Sequence, residues 1–406
     1  VSHAPLAVDG GIPVRTRPWP TWPEYDQREE DALRRVLHSG QWWSVGGTEV
    51  EQFEREFAAF QQAAHGICCT NGTAALEIAL RALNIGCGDE VIVPPYTFIA
   101  TASSVLAVGA TPVFVDIDPE SFNIDPAQID QAVTPRTRAV IPVHIAGGPA
   151  DLDGVLAAAA KHGLSVIEDA AQAHAAAWNG RRVGAIGDCG TFSFQASKNL
   201  NAGEGGILIT NNEDLADRLW SVTNVGRTRT GKWYEHHVLG GNFRLTEWQG
   251  AILRTQLGRL EAQTARRTAS ANRLTQLLAE IPGIRTLKVD PRVTTHAYHL
   301  YMFRYQPQAF GGRPREEFLK ALNAEGVPAS GGYVPLHLET VFRRKQCGEG
   351  TWCRSGRSID YAACSLPVTQ SVCADAVWLG QNLLLAPPEE MQHIADAVSR
   401  IQQSWG

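Results

Sequence analysis

Lysine is scarce in this chain. Six residues, Lys161, Lys198, Lys232, Lys288, Lys320 and Lys345, stand against thirty arginines in a sequence of 406. A guanidinium stays protonated and non-nucleophilic, so chemistry that needs an imine-forming amine has only those six places to sit. Cysteine is equally uninformative as a metal ligand. The eight cysteines, Cys68, Cys69, Cys87, Cys189, Cys347, Cys353, Cys364 and Cys373, include no C-x-x-C pair. No nearby histidine pattern completes a zinc site, so they read as reduced thiols and a metal is not expected. No apolar run reaches the roughly eighteen residues of a membrane span. The opening VSHAPLAVDGG has no basic segment followed by an apolar one, which points to a cytoplasmic protein. Basic surplus is missing too: a net charge of −6 and a pI near 6.1 speak against nucleic acid or an anionic membrane as partner.

What is present is a large core and a regular alternation. The chain is 44% hydrophobic, enough for a two-domain enzyme at this length. Helical periodicity over 27–38 and 48–61 is followed by alternating segments. Helical 73–83, 99–108, 126–132 and 150–162 are interleaved with strand-like 90–93, 112–116, 138–144 and 165–169. That order predicts βαβ units and a mostly parallel sheet covered on both faces. Strand-like 190–194 and 206–210 come without a helix-length spacer, so the later part of the sheet is open to antiparallel pairing. A long helical pattern from Thr246 to about Ile281 bridges to strand-like 299–305 and helical 316–325 and 388–402. The fold class is therefore α/β: a large sheet domain over 1–260 and a smaller α+β C-terminal domain over 261–406.

Lys198 stands out among the six lysines. It follows the β-type run GTFSF and precedes Gly203-Glu204-Gly205-Gly206, glycines that let a ligand approach the backbone or simply make a tight turn. Lys161 ends an alanine-rich helix, Lys320 lies on an amphipathic one, and Lys232, Lys288 and Lys345 fall in polar, turn-like stretches. Lys198 is the candidate Schiff-base lysine. Two further features point to pyridoxal phosphate as its carbonyl partner. Asp169 ends the run Ser165-Val166-Ile167-Glu168-Asp169, where a carboxylate either pairs with a protonated pyridine nitrogen or caps the following helix. Thr70-Asn71-Gly72-Thr73 opens a helix, where free N–H groups suit a phosphate, or where an ordinary cap would look the same.

The segments NGTAAL, VIVPPYTFIAT, VIEDAAQAHAA, TFSFQASKNLNAGEGG and GGNFRLTEWQGAILRTQL resemble the DegT/DnrJ/EryC1/StrS family. These are pyridoxal-phosphate aminotransferases of amino-sugar and aminocyclitol biosynthesis. The resemblance runs from about Trp22 to the C-terminus and implies the aspartate-aminotransferase-like fold, that is, PLP fold type I. It implies that Lys198 carries the cofactor and Asp169 partners its pyridine nitrogen. Gly72, Thr73 and Ser193 would hold the phosphate, Phe98 would stack on the ring, and Gln172 would lie close to it. Asn242 would reach the phosphate of a neighbouring subunit, so a homodimer with shared active sites is implied. The amino donor would be L-glutamate or L-glutamine, and the acceptor a keto-sugar or keto-cyclitol. One departure concerns the backbone: the family usually has glycine after the AQAH run, and here Ala175 follows His174.

The early segment WPTWPEYDQREEDALRRVLHSGQWWSVGG is similar to 3-amino-5-hydroxybenzoate synthases, family members that dehydrate and aromatise a ring. This tilts the expectation toward a cyclitol, with Trp42 and Trp43 either facing it or packed under the N-terminal arm. A dehydratase or lyase of that type is the alternative. A non-catalytic member of the fold is a third reading, against which the retention of both Lys198 and Asp169 argues.

Overall fold

The alternation between 65 and 210 folds into one seven-stranded sheet, in the order His65–Cys69, Gly206–Thr210, Cys189–Ser193, Ser165–Asp169, Thr137–Val140, Glu90–Val93, Thr111–Phe114. The computed structural model describes residues 5–343 and 359–406; Lys345, Cys347 and Cys353 lie outside them. The five strands from Cys189–Ser193 to Thr111–Phe114 pair in parallel, as the βαβ order requires. Gly206–Thr210 runs antiparallel to Cys189–Ser193 and to His65–Cys69. It is thus the one reversed strand of this sheet, and the other six present their C-terminal ends at a single edge.

Burial on both faces explains the apolar strands. Val91 and Val93 join Ile141 and Ile167 in one core layer, while Ile92 joins Val140 and Val166 in another. The helices that cover the sheet are capped as their sequences direct. Asn71 accepts from Ala74 N at 2.8 Å to start Gly72–Ala82, and Asp151 accepts from Gly154 N at 3.1 Å to start Leu152–His162.

A single helix, Glu247–Leu278, runs for 32 residues, roughly 48 Å at 1.5 Å per residue. The boundary expected at 260/261 falls inside it. Its early part packs against Gln27–Ser39 and Glu49–Phe60, and it also meets Met391–Trp405. A second, four-stranded antiparallel sheet follows, ordered Ile284–Thr286, Leu300–Tyr305, Ala376–Gly380, Ala329–Ser330. It has its own core around Phe303, Tyr305, Phe310, Phe318 and Val377.

Among the elements the sequence reading does not assign are the strand His65–Cys69, the helices Glu213–Thr223 and Pro367–Asp375, and the strand Ala376–Gly380. The thiols also depart from expectation in one place. Cys68, Cys69, Cys189 and Cys373 are free thiols, but Cys87 is disulfide-bonded. Among the described residues there is no cluster of three or more metal-ligating side chains, and no helix is long and apolar enough to cross a membrane.

Candidate active site

At the C-terminal edge of the large sheet lies a cavity of about 990 Å³, the usual place for a ligand in an open α/β sheet. Lys198, Asp169, Gly72, Thr73, Phe98, Gln172 and Ser193 all line it. Residues chosen from four separate stretches of sequence converge there. Asn242 does not; it is exposed and outside the cavity of its own chain. Trp42 and Trp43 do not line it either. Both are partly exposed, with Trp42 against Trp248 and Trp43 edge-on to Trp233. Neither is packed away under the N-terminal arm.

Asp169 is set by the parallel ladder. Its N–H donates to Pro142 O at 2.9 Å, and its side chain is 5% exposed as a residue. The Thr101 hydroxyl donates to Oδ2 at 2.8 Å, and Ala171 N donates to Oδ1 at 3.2 Å. Burial raises the carboxyl above its ordinary value, while the Thr101 bond, the Ala171 N–H and the Lys198 charge act the other way. The preceding residue serves structure instead. Glu168 accepts from Gly184, Ile186 and Gly187 N–H groups and pairs with His144 Nε2 at 3.0 Å. His144 Nδ1 accepts from Ala150 N at 3.0 Å, so the ring proton sits on Nε2 and points at Glu168.

Lys198 follows the strand Cys189–Ser193 in a loop closed by Phe194 N–Gly205 O at 2.8 Å, Ala196 N–Gly203 O at 3.0 Å and Lys198 N–Gln195 O at 2.8 Å. The glycine cluster has a local reason. Gly205 has φ +148°, and a Cβ on Gly206 would lie 2.5 Å from the Asn71 carbonyl carbon. The loop thus seats directly on the turn that begins Gly72–Ala82. Burial lowers the Lys198 ammonium to about 8, against the opposing pull of Asp169.

The remaining positions form the walls. A Cβ on Gly72 would stand 2.8 Å from Ser193 Cβ, so the helix start and the strand end form a narrow cradle lined by N–H and hydroxyl groups. Phe98 is 58% exposed, a flat apolar face left open on the cavity. Gln172 Oε1 accepts from Ala146 N at 2.6 Å, and its Nε2 donates to the Tyr333 hydroxyl at 3.0 Å. Sequence reasoning missed Thr101, Tyr333, His299 and Gln381, which also line the cavity. The Thr97/Thr101 pair, four residues apart, is the available signal for Thr101.

Comparison with known proteins identifies the family. Residues 23–378 match the DegT/DnrJ/EryC1/StrS aminotransferase family. The chain belongs to that family. The L-glutamine:2-deoxy-scyllo-inosose aminotransferase of Streptoalloteichus tenebrarius is 40% identical, over 99% of this chain and 98% of its own. The 3-amino-5-hydroxybenzoate synthase of Amycolatopsis mediterranei is 38% identical, over 94% of this chain and 98% of its own. A solved 3-amino-5-hydroxybenzoic acid synthase superposes with a TM-score of 0.88 at 36% identity, covering 96% of this chain and 100% of that one. The fold is accordingly the aspartate-aminotransferase-like one, and the chain is an enzyme of an aminotransferase family.

Ala175, where the family usually has glycine, is buried with φ +71°. The backbone there is left-handed, a conformation that glycine adopts at less cost than alanine.

Proposed function

We propose that the protein is a pyridoxal-phosphate-dependent aminotransferase that moves the amino group of L-glutamine or L-glutamate to a keto-cyclitol or keto-sugar. The observation that carries this is the meeting of the Lys198 amine and the buried Asp169 carboxylate in one cavity. The residues fit the cofactor. The cradle between Gly72 and Ser193, with Thr73, suits the phosphate, the open face of Phe98 suits the ring, and Gln172 lies beside it.

When bound, the cofactor supplies an aldehyde that captures amines and a ring that draws electrons from the attached carbon. This chain's residues do the rest. Asp169 holds a proton on the ring nitrogen, and Thr101 orients the carboxylate for that bond. Lys198 Nζ, lowered to about 8, is partly neutral near pH 7. It takes the proton from the donor Cα as general base and returns it as general acid. Gln172, held at both ends of its amide, keeps its position. In the second half of the cycle the same amine delivers a proton in the reverse direction while the ketone is aminated.

The relatives' names support a cyclitol ketone. We further propose a cytoplasmic homodimer, in which the exposed Asn242 reaches the neighbour's phosphate. The likeness to 3-amino-5-hydroxybenzoate synthases supports the second reading, dehydration and aromatisation of an aminated ring. One experiment separates them: the purified protein, supplied with pyridoxal phosphate and L-glutamine, is offered 2-deoxy-scyllo-inosose, scyllo-inosose, nucleotide-linked keto-sugars and aminodehydroquinate-type rings. Mass shifts for amination of a ketone support the proposal. Loss of water from the last substrate, without amination of the others, overturns it in favour of the second reading.

A further inference from the structure

Two cavity-lining residues outside the constellation above, His299 and Gln381, flank the end of the small sheet. Leu300 pairs with Gly380 at the end of the antiparallel ladder, and His299 and Gln381 are the residues just beyond the two strand ends. Continuing the register by one residue sets them across from each other. Both are nearly buried, at 7% and 4% exposed, yet both line the cavity.

Each has one end of its side chain fixed from behind. Asn199 Nδ2 donates to Ala297 O at 2.7 Å, which turns its Oδ1 toward His299 Nδ1 at 3.3 Å. An amide oxygen only accepts, so His299 carries its proton on Nδ1 and its Nε2 is an acceptor. Burial, followed by the charge of Lys198, holds the ring well below the usual histidine value, so it stays neutral. Gln381 Oε1 accepts from Arg267 Nε at 2.9 Å and from Nη2 at 2.6 Å, leaving Nε2 as a donor. Neither His299 Nε2 nor Gln381 Nε2 bonds to a described residue, and neither is among the sealed unsatisfied atoms. Both are open to the cavity.

We infer that His299 Nε2 and Gln381 Nε2 form a hydroxyl-binding subsite for the ketone substrate, one atom accepting and the other donating. A hydroxyl both donates and accepts, so an acceptor beside a donor fits adjacent hydroxyls of a polyol ring. Asn199 and Arg267 act as positioning residues that fix the tautomer and the amide orientation. The subsite rests on the reading of the acceptor as a polyhydroxylated ketone, and it adds what recognises the hydroxyls.

Two variants and a non-reacting probe test this in the cofactor-loaded protein. Gln381→Glu keeps both bonds from Arg267 and gives that buried cation a carboxylate, but replaces the cavity donor by an acceptor. A purely structural glutamine predicts unchanged or tighter substrate handling. The subsite predicts a KM for the keto-cyclitol raised roughly tenfold, the loss of about one hydrogen bond, with a smaller change in kcat. His299→Phe should behave alike, and His299→Gln, which restores an acceptor, should recover part of the loss. Cofactor absorbance and melting temperature report folding; should His299→Phe fail to fold, Gln381→Glu decides alone. Calorimetry with scyllo-inositol provides a second arm that does not depend on turnover. Wild type binding it, with both variants weaker by roughly tenfold, supports the subsite even if no ketone is aminated, an outcome that would sink only the proposed reaction. Equal KM and equal scyllo-inositol affinity in wild type and Gln381→Glu overturn the inference.

Discussion

The Thr101 hydroxyl donates to Asp169 Oδ2 at 2.8 Å, and because its proton is committed there, Thr97 must donate to Thr101 across their 3.0 Å contact. A relay of two hydroxyls, four residues apart, thus holds the one carboxylate proposed to keep the cofactor ring protonated. Replacing Thr101 by valine preserves shape and removes that bond. The Thr101 bond lowers the Asp169 carboxyl, so its loss raises it further. The acid limb of kcat/KM should move to higher pH, and activity should fall roughly tenfold or more, as expected for a lost bond to a charged group. Thr101→Ser should restore most of it. A pH–rate profile identical to wild type would remove Thr101 from the account.

Lys198 sets a second pH dependence. Burial brings its ammonium down to about 8 from the ordinary 10.5, so the reactive free amine appears well before an exposed lysine's would. Capture of pyridoxal phosphate by cofactor-free protein, followed by absorbance, should rise through a midpoint near 8. Asp169 raises the Lys198 value, so Asp169→Asn should shift that midpoint lower. A midpoint near 10.5 in wild type would contradict the burial argument.

Lys198→Ala should abolish turnover and the visible absorbance of covalently held cofactor while leaving the protein folded. Borohydride treatment of wild type should fix the cofactor to Lys198, read by peptide mass. Asp169→Ala should retain cofactor yet lose most activity, because the ring nitrogen then loses the carboxylate proposed to keep it protonated. Near-normal turnover in Asp169→Ala would refute its role.

Gly72→Ala places a Cβ 2.8 Å from Ser193 Cβ, a collision in a buried contact. Overpacking of this kind costs about 1–3 kcal/mol. The variant should be less stable and weaker in phosphate binding. Titration with pyridoxal phosphate and with inorganic phosphate would show both losses if the cradle is the phosphate site.

Ala175 offers the reverse experiment. Its φ of +71° is costly for a residue with a Cβ, by about 1–2 kcal/mol, and glycine would relieve that at some expense in unfolded-chain entropy. Ala175→Gly should stabilise the fold by about 1 kcal/mol or less, seen as a higher denaturation midpoint with an unchanged slope. A lower midpoint would show that the Cβ, buried among Phe57, Phe192 and Phe194 in the same core, contributes more by packing than the backbone loses.

Much of the architecture was legible in local pattern. The alternation between 73 and 169 gave the parallel sheet because strands covered on both faces must be continuously apolar. The long uninterrupted pattern after Thr246 gave the 32-residue helix. The helix Glu213–Thr223 was equally legible and was passed over: Asn212 accepts from Leu215 N at 2.9 Å as a cap, with Glu213 and Asp214 in the first turn. His65–Cys69 and Ala376–Gly380 had no such signal. Each is five residues long and stands outside the helix–strand alternation and the flanking motifs that mark equally short strands elsewhere, so periodicity alone does not separate strand from buried helix.

The sequence by itself determined the reactive groups: a rare lysine after an apolar strand, a carboxylate at a strand end, and a capped glycine turn before a helix. Each is a local feature, set by chemistry and by neighbours within a few residues. Tertiary structure alone decided how those groups are tuned and what surrounds them. Thr101 meets Asp169 across 68 residues, Gln172 meets Tyr333 across 161, and Arg267 meets Gln381 across 114. Contacts at such separations depend on which strands pair and how two sheets face one cavity, and no periodicity of a few residues encodes that.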